Sequence, residues 1–215
     1  MSFDSLAPHY HWMEFITAGE KLQRCRTRFI SRAGNARQAL VLGEGNGRFL
    51  AALRRQAPDL NITCLDASAR MLALARCRLE RAGLDGATIR FIHADALEWA
   101  PPARAFDLIV THFFLDCFTA SQVEALVSEL AGAALPGAKW LLADFRIPAS
   151  GLTRVRAWLM HRVMYLFFRW ATRLPAHELT PPDPFLSANG FVLRQRHISE
   201  WGLLHTDLWE RPGPP

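Results

Sequence analysis

Short apolar runs alternate with helical patterns through the middle of the chain, from Gln38 to Pro148. Five of these runs are predominantly apolar, which is typical of strands buried on both faces. The predicted strands cover residues 39–42, 61–65, 89–93, 106–111 and 140–145. Apolar residues recur at helical spacing from the glycine-rich turn after the first strand as far as Arg55, and again over residues 68–82 and 121–135. The alternation predicts a parallel sheet with helices on both faces and the carboxyl ends of its strands at one rim.

Two further regions flank this core. Residues 1–31 are predicted to form an amphipathic helical arm, and residues 152–174 a longer helix that is rich in aromatic residues and arginine and ends before Pro175. A short helix ending near Asn189 and Gly190 follows it. Residues 191–199 and 203–209 have the pattern of a β-hairpin turning around residues 200–202. We expect a single domain over residues 1–215, because no repeat or linker divides the chain.

Composition narrows the class of protein. Half of the 215 residues are apolar and 21% are charged, as in ordinary globular proteins. The formal charge of +5 comes from arginines spread along the chain, since only Lys21 and Lys139 are lysines. Such a mildly basic surface would attract an anionic substrate or a membrane face. Without a basic tail or block, it does not indicate nucleic-acid binding.

The cysteines and the apolar segments predict a cytoplasmic protein. The cysteines lie far apart and lack metal-binding spacing, so we expect reduced, mostly buried thiols and no metal site. They are Cys25, Cys64, Cys77 and Cys117. The first residues lack the basic start and apolar run of a signal peptide. No stretch reaches the roughly 18 apolar residues that a membrane-spanning helix requires, so we expect a soluble protein.

A glycine-rich turn after the first strand is the most informative segment. Gly43, Gly45 and Gly47 are spaced as GxGxG, and the turn opens the first predicted helix of the core. Glycine allows a sharp turn and a close approach of a ligand to backbone amides, and the helix start offers unpaired N–H groups. The spacing differs from the GxGxxG of dinucleotide-binding proteins, and the turn lacks the Gly-Lys-Ser/Thr ending of a P-loop.

Polar residues follow the next three strands at the same predicted rim. Asp66 lies nineteen residues after Gly47, just past the second strand, where a carboxylate can accept both hydroxyl hydrogens of a ribose. Asp95 follows the third strand, where it could accept from an adenine amino group, and Thr111 ends the fourth. The coincidence of these features at successive strand ends predicts a nucleoside-binding site.

With these features in place, the chain resembles the class I S-adenosylmethionine-dependent methyltransferases. The matching segments, in order, are VLGEGNGRFL, CLDASARML, HADAL, FDLIVTHFFLDCF and WLLADF. The resemblance implies a Rossmann-like α/β fold, with a doubly wound, mostly parallel seven-stranded sheet and a C-terminal β-hairpin. It implies S-adenosyl-L-methionine as the cofactor and a small molecule of unidentified structure as the methyl acceptor. It also makes residues 1–31 a lid and residues 152–190 a helical insertion on the substrate side.

The resemblance also implies which residues contact the cofactor. The glycine turn would cradle the methionine part, Asp66 would hold the ribose, and Asp95 with Ala96 would contact the adenine. The backbone of Thr111 would face the methionine end. The full implied set is Gly43, Glu44, Gly45, Asn46, Gly47, Asp66, Ala67, Met71, Asp95, Ala96 and Thr111.

One position departs from the family pattern. Many members carry an acidic residue two positions before the first glycine of the turn, where this chain has Val41. Glu44, inside the turn, is a hypothetical replacement that would face the ammonium group of the donor. If so, the substitution Glu44→Gln would weaken cofactor binding.

Methyl transfer from a sulfonium requires mainly that donor and acceptor be held at attack distance in a dry pocket. A general base is needed only if the acceptor must lose a proton. His112 and Asp116, in the loop after the fourth strand, are the candidate catalytic residues, and Asp144 is a weaker one. The alternative is structural: His112 would form local hydrogen bonds, and Asp116 would cap a helix.

The predicted helix over residues 154–173 allows three interpretations. Its aromatic and arginine side chains would pack on the domain, wall an apolar acceptor pocket, or lie on a membrane surface to meet a lipid or quinone acceptor. The sequence leaves peripheral membrane contact and the oligomeric state open. In the arm, we expect His9 and His11 to be surface or lid residues. Tyr10 and Trp12 would fold over the cofactor.

Three rival functions can be compared with the leading one. A nucleic-acid methyltransferase is disfavoured, because the fourth strand ends in Thr-His-Phe-Phe rather than in the Pro-Pro-aromatic cluster that grips a flipped base. A nicotinamide-dependent oxidoreductase would need the other glycine spacing. A domain that binds the donor without catalysis stays open, because the best-supported residues all face the donor.

Overall fold

The computed structural model describes residues 19–84, 86–146 and 179–213. Its helices are α1 (Gly19–Thr27), α2 (Arg48–Gln56), α3 (Ala69–Arg81), α4 (Ala120–Ala133) and α5 (Asp183–Ala188). Its strands are β1 (Gln38–Leu42), β2 (Asn61–Asp66), β3 (Ile89–His93), β4 (Phe106–His112), β5 (Ala134–Phe145), β6 (Val192–Ser199) and β7 (Leu204–Glu210). The predicted helix over 152–174 and the first part of the predicted arm, with His9, Tyr10, His11 and Trp12, lie outside the described residues.

The seven strands form one sheet in the order β3-β2-β1-β4-β5-β7-β6. The first five pair in parallel, and β7 is antiparallel to both β5 and β6. The carboxyl ends of β1 to β6 therefore lie at one rim, which the β6–β7 turn and the start of β7 share. This sheet confirms the predicted Rossmann-like fold and its C-terminal hairpin.

Two apolar layers cover the sheet. One face packs against α4 and α5, around the fully buried Trp140. The other packs against α2 and α3, around the fully buried Phe49. Burying a side chain of this size stabilises the fold by roughly 1.5–3 kcal/mol. Because β1 and β4 are enclosed by both layers, they read as continuous apolar runs in the sequence.

The boundary between α4 and β5 differs from its prediction. The helix ends at Ala133 rather than at 135, and β5 begins at Ala134 rather than at 140. The register between β4 and β5 shifts between Phe106 and Leu108, so the first part of β5 is irregular. Pro136 lacks a backbone N–H and Gly137 has φ of 79°, which accounts for the irregular pairing.

The cysteine prediction agrees with the structure in part. All four thiols are free, and Cys25 and Cys64 are buried, whereas Cys77 and Cys117 are partly exposed. In the described part of the chain, no helix is both long and apolar enough to cross a membrane.

Candidate active site at the carboxyl rim of the sheet

The loop Gly43–Gly47, called the glycine loop below, is tightly packed against its surroundings. Gly47 has φ of 81°, and a Cβ built on it would lie 2.7 Å from the Cα of Ala75 in α3. Gly43 has φ of 64°, and a Cβ built on it would clash with the ring of Phe114. At both positions the left-handed backbone and the missing space require glycine. The loop is therefore held between α3 and the segment that follows β4.

Glu44 caps the helix that the glycine loop opens. Gly47 is the N-cap of α2 and has no side chain to accept the first free N–H groups. Glu44 Oε1 accepts them instead, from Phe49 N at 2.8 Å and Leu50 N at 3.0 Å. Burial raises the pKa of Glu44 to about 7, against the lowering effects of Arg26 and the two backbone N–H groups. The carboxyl predicted to face the donor thus has a structural task in α2.

Asp66 lies beside the glycine loop at the end of β2. Its Oδ2 accepts from Gly45 N at 3.2 Å, and its Oδ1 accepts from Ser68 N at 2.9 Å. The two bonds fix the carboxylate between the glycine loop and the start of α3. Because backbone donors hold it, the carboxylate is positioned before any ligand arrives.

The remaining residues predicted on this side lie at neighbouring strand ends. Ser68 Oγ accepts from Met71 N at 3.2 Å and caps α3, and Met71, in the first turn of that helix, is buried. The backbone oxygen of Ala67 lies 3.1 Å from His93 Nε2. Asp95 Oδ1 accepts from Leu97 N at 3.0 Å, which shapes the turn after β3. The buried side chains of Asn46 and Ala96 complete this part of the rim.

We call this group, from the glycine loop to Asp95, the β1–β3 side of the rim. Strand order places β3, β2 and β1 next to one another, so the predicted residues on their ends come together. The backbone also links them, because Ala94 N donates to Asp66 O at 3.2 Å and Gly43 N donates to Leu65 O at 2.9 Å.

The ends of β4 and β5 and the start of β7 form the other part of the rim, called the β4–β7 side. Thr111, predicted to face the donor through its backbone, is buried, and its Oγ1 accepts from Trp140 Nε1 at 2.8 Å. Phe113 has φ of 53°, which is uncommon outside glycine, and its amide donates to Ala143 O at 2.7 Å. The strained backbone turns the loop after β4 so that Phe114 contacts the glycine loop.

His112 is isolated from the other predicted catalytic residue. It is 4% exposed, neither ring nitrogen has a hydrogen-bond partner in the described structure, and its ring lies 4.5 Å from that of Phe49. Burial, and then Arg26, lower the pKa of His112 well below its usual value. It lies on the α2 side of the sheet, whereas Asp116 neighbours Asp144. Among the residues that the structure describes, the local hydrogen bonds considered for His112 are not present.

Asp116 and Asp144 form a buried carboxyl pair. The backbone N–H of Asp116 donates to the Asp144 carboxyl, which also accepts from Phe145 N at 2.8 Å. Burial raises the pKa of Asp116 to about 6, while burial and the neighbouring Asp116 raise the pKa of Asp144 well above its usual value. The pair therefore retains a proton near neutral pH.

His205 and Asp207, in β7, were not identified from the sequence as site residues. His205 Nδ1 lies 3.0 Å from Asp207 Oδ2, and Arg196 binds the same carboxylate through Nε at 2.8 Å and Nη2 at 2.6 Å. The signal was present: a His-x-Asp pair within an apolar strand places both polar side chains on one face. No group of three or more His, Cys, Asp or Glu in the described ranges could hold a metal ion.

Comparisons with known proteins agree with this fold. A family model described as "Methyltransferase domain" matches residues 39–137. Demethylmenaquinone methyltransferase from Deinococcus radiodurans is 30% identical over 212 residues, which cover 92% of this chain and 86% of that protein. The protein of the same name from Thermus thermophilus is 29% identical over 69% of this chain and 66% of its own length.

A solved structure shows the same fold. The N-methyltransferase NodS from Bradyrhizobium japonicum WM9, in complex with S-adenosyl-L-homocysteine, has a TM-score of 0.68 at 17% identity, covering 94% of this chain and 91% of its own. The chain belongs to the class I S-adenosylmethionine-dependent methyltransferases. It is an enzyme that uses S-adenosyl-L-methionine to methylate a small molecule.

Proposed function

We propose that the methyl acceptor is a reduced quinone, a prenylated naphthohydroquinone. The observation that carries this proposal is the similarity, along 86% of its length, to a relative named for demethylmenaquinone. The lipid or quinone acceptor at a membrane surface, one of the alternatives considered from the sequence, is of the same chemical class. The β4–β7 side supports it, because buried acid–base groups there suit an acceptor that must lose protons.

We also propose that the β1–β3 side is the donor site. Asp66, fixed by Gly45 N and Ser68 N, would accept the two ribose hydroxyls, and the tight packing of the glycine loop would bring its backbone against the methionine part. Asp95 and Ala96 would contact the adenine, with Ala67 and Met71 alongside. Asn46, Glu44 and the backbone of Thr111 would face the amino-acid end of the donor.

The chemistry of a quinone restricts which form reacts. The ring carbons of an oxidised quinone are electron-poor, whereas in the hydroquinone a hydroxyl oxygen feeds electron density into the ring. Loss of the hydroxyl proton makes an ortho ring carbon nucleophilic enough to attack the methyl group of the sulfonium. The protein needs to align the two reactants, exclude water and accept that proton.

A methyl-transfer assay tests this proposal. The whole protein is incubated with S-adenosyl-L-methionine and dithionite-reduced 2-prenyl-1,4-naphthoquinone, and the product is read by mass spectrometry. We expect one added methyl group on the ring and stoichiometric S-adenosylhomocysteine. The unreduced quinone and a catechol serve as control acceptors. Turnover of catechol with none of the naphthohydroquinone would contradict the proposal.

Contact with a membrane surface is a second proposal, carried by Trp201. This residue is 75% exposed in the β6–β7 turn at the carboxyl rim, with φ of 61°. An exposed tryptophan suits the interface between lipid and water, where a prenylated acceptor is found. Trp201→Ser should reduce co-sedimentation with phosphatidylglycerol vesicles, whereas Leu74→Ser, at an exposed position on α3, should not. Equal sedimentation of Trp201→Ser and wild type would contradict it.

A further inference from the structure

His205 lies opposite Asp144 at the rim. The antiparallel pairing of β5 and β7 places the two residues directly across from each other, and paired residues share a face of the sheet. Asp207, two residues along β7, lies on the same face. His205 is 5% exposed, Asp144 3% and Asp207 0%, so the three groups form a nearly dry cluster.

The state of Asp207 determines which nitrogen of His205 carries hydrogen. Burial acts to raise the pKa of Asp207, but hydrogen bonds from Arg196 and His205 outweigh it and hold that pKa below its ordinary value. Asp207 is therefore a carboxylate and can only accept hydrogen bonds. Hence His205 Nδ1 donates to Asp207, and in the neutral ring Nε2 carries the free lone pair.

Among the described residues, Nε2 of His205 is left unbound, because the contacts of His205 place no hydrogen-bond partner on it. In the described part of the chain, the fully enclosed polar atoms without partners are Gln23 Oε1 and the two nitrogens of His112, and Nε2 of His205 is not among them. A histidine held through Nδ1 by a carboxylate, with Nε2 left for a ligand, has the arrangement of a general base.

We propose that His205 accepts the hydroxyl proton of the methyl acceptor, with Asp207 as its positioning residue, and that the Asp116–Asp144 pair takes up the second proton of the reaction. This inference rests on the proposed hydroquinone acceptor. It assigns proton transfer to β7, and not to His112, whose ring lies on the other face against Phe49.

The steps balance in atoms and electrons. The O–H bond of the acceptor breaks, its proton moves to Nε2, and the electron pair stays on oxygen. The ring carbon then forms a bond to the methyl group as the sulfur–methyl bond breaks, and that electron pair stays on sulfur. The methylated carbon loses its hydrogen as a proton to the carboxyl pair, the C–H electrons restore the aromatic ring, and His205 returns its proton to oxygen. One proton is released to solvent in total.

The charged groups around His205 fit this role. Asp144 faces it from β5, and Asp207 from its own strand. Arg196 of β6 forms an ion pair with Asp207 at 2.6 Å and a second one with Asp183 of α5 at 2.7 Å. A protonated His205 would therefore be stabilised by the neighbouring carboxylate, as a proton acceptor in a dry pocket must be.

The substitution His205→Asn separates the catalytic role from the structural one. Asparagine offers an N–H where imidazole has Nδ1–H, so the bond to Asp207 is kept, but it has no group in place of Nε2. We expect kcat to fall by about 10²–10⁴-fold, with the KM of the hydroquinone and the Kd of S-adenosylmethionine changed by less than about threefold. Added imidazole should restore part of the activity of His205→Ala. If His205→Asn kept kcat within about threefold of wild type, the proposal would be overturned.

A second readout does not depend on the acceptor. In the complex with S-adenosylhomocysteine, ¹⁵N NMR of histidine-labelled protein should show that His205 is protonated at Nδ1 and unprotonated at Nε2. The signal that is missing in His205→Asn identifies the resonances of His205. The opposite tautomer would overturn the inference. If wild type failed to methylate the hydroquinone, the proposed acceptor would be wrong, while the NMR result would still decide the state of His205.

Discussion

The two sides of the rim hold acidic residues in opposite ways. On the β1–β3 side, backbone N–H groups hold the carboxylates: Gly45 N and Ser68 N donate to Asp66, and Leu97 N donates to Asp95. On the β4–β7 side, burial and mutual proximity raise the pKa values of Asp116 and Asp144. A carboxylate that backbone donors hold in one position suits a ligand that is the same in every reaction and carries hydroxyl groups, as the methyl donor does. Carboxyls that retain a proton suit an acceptor whose own protons must move.

The largest expected effect tests how tightly the β1–β3 side is packed. Gly47→Ala combines a strained left-handed φ with a Cβ 2.7 Å from the Ala75 backbone. We expect the free energy of unfolding to fall by about 2–5 kcal/mol, and S-adenosylmethionine binding to be lost with it. Chemical denaturation and calorimetric titration measure the two effects.

Gly83→Ala is the matched control for that substitution. Gly83 also has positive φ, at 64°, but no described atom lies within 4 Å of its built Cβ. The free energy of unfolding of Gly83→Ala should fall only by the cost of a positive φ at alanine, about 1 kcal/mol. This variant should bind the cofactor normally. Equal losses of stability in the two variants would show that crowding against α3 has no effect.

Glu44 is the exception to the comparison, because it belongs to the β1–β3 side but has a raised pKa of about 7. Its ordinary value is 4.5, so between these pH values the folded protein binds more protons than the unfolded chain, and stability falls as pH rises through 7. Glutamine keeps an oxygen for Phe49 N and Leu50 N without the charge. Glu44→Gln should therefore raise the free energy of unfolding at pH 8 by up to about 3 kcal/mol.

At pH 4 the same variant should match wild type within about 0.5 kcal/mol, because Glu44 is then mostly protonated in both the folded and the unfolded chain. Urea denaturation at the two pH values isolates Glu44, since Asp116 and Asp144 titrate in both proteins and cancel in the difference. A destabilised Glu44→Gln at pH 8 would contradict burial as the cause of the raised pKa. A weaker affinity for S-adenosylmethionine in this variant would support the predicted contact with the donor's ammonium group.

Much of the fold and of the β1–β3 side could be predicted from sequence because their determinants are local. Apolar runs define strands that are buried on both faces, and the glycine loop and Asp66 directly follow strands. Since strand order brings β3, β2 and β1 together, residues that follow successive strands become neighbours without any long-range information.

The β4–β7 side could not be predicted in the same way. His205 meets Asp144 only through the pairing of β5 with β7, which connects residues about sixty positions apart. His112 and Asp116 are close in sequence, but their side chains have different neighbours: His112 lies against Phe49, whereas Asp116 lies beside Asp144. Ala134 was predicted to lie in a helix but begins β5, and this likewise depends on a distant residue, since Ala134 pairs with Phe106.

The smallest expected effect concerns Asp66, and it distinguishes a carboxylate that binds a ligand from one that only braces the backbone. Asp107 provides the comparison, because it also accepts hydrogen bonds from backbone N–H groups, those of Arg37 and Gln38 at 2.8 and 2.9 Å. It lies near the amino end of β4, at the opposite rim of the sheet. Asp66→Asn should weaken S-adenosylmethionine binding about 10–100-fold, since an amide cannot accept both ribose hydroxyls on charged oxygens. Asp107→Asn should lower the thermal midpoint similarly and leave the Kd unchanged. If calorimetry gave the two variants the same Kd, Asp66 would only stabilise the backbone. The proposal that the β1–β3 side binds the donor would then lose its main residue.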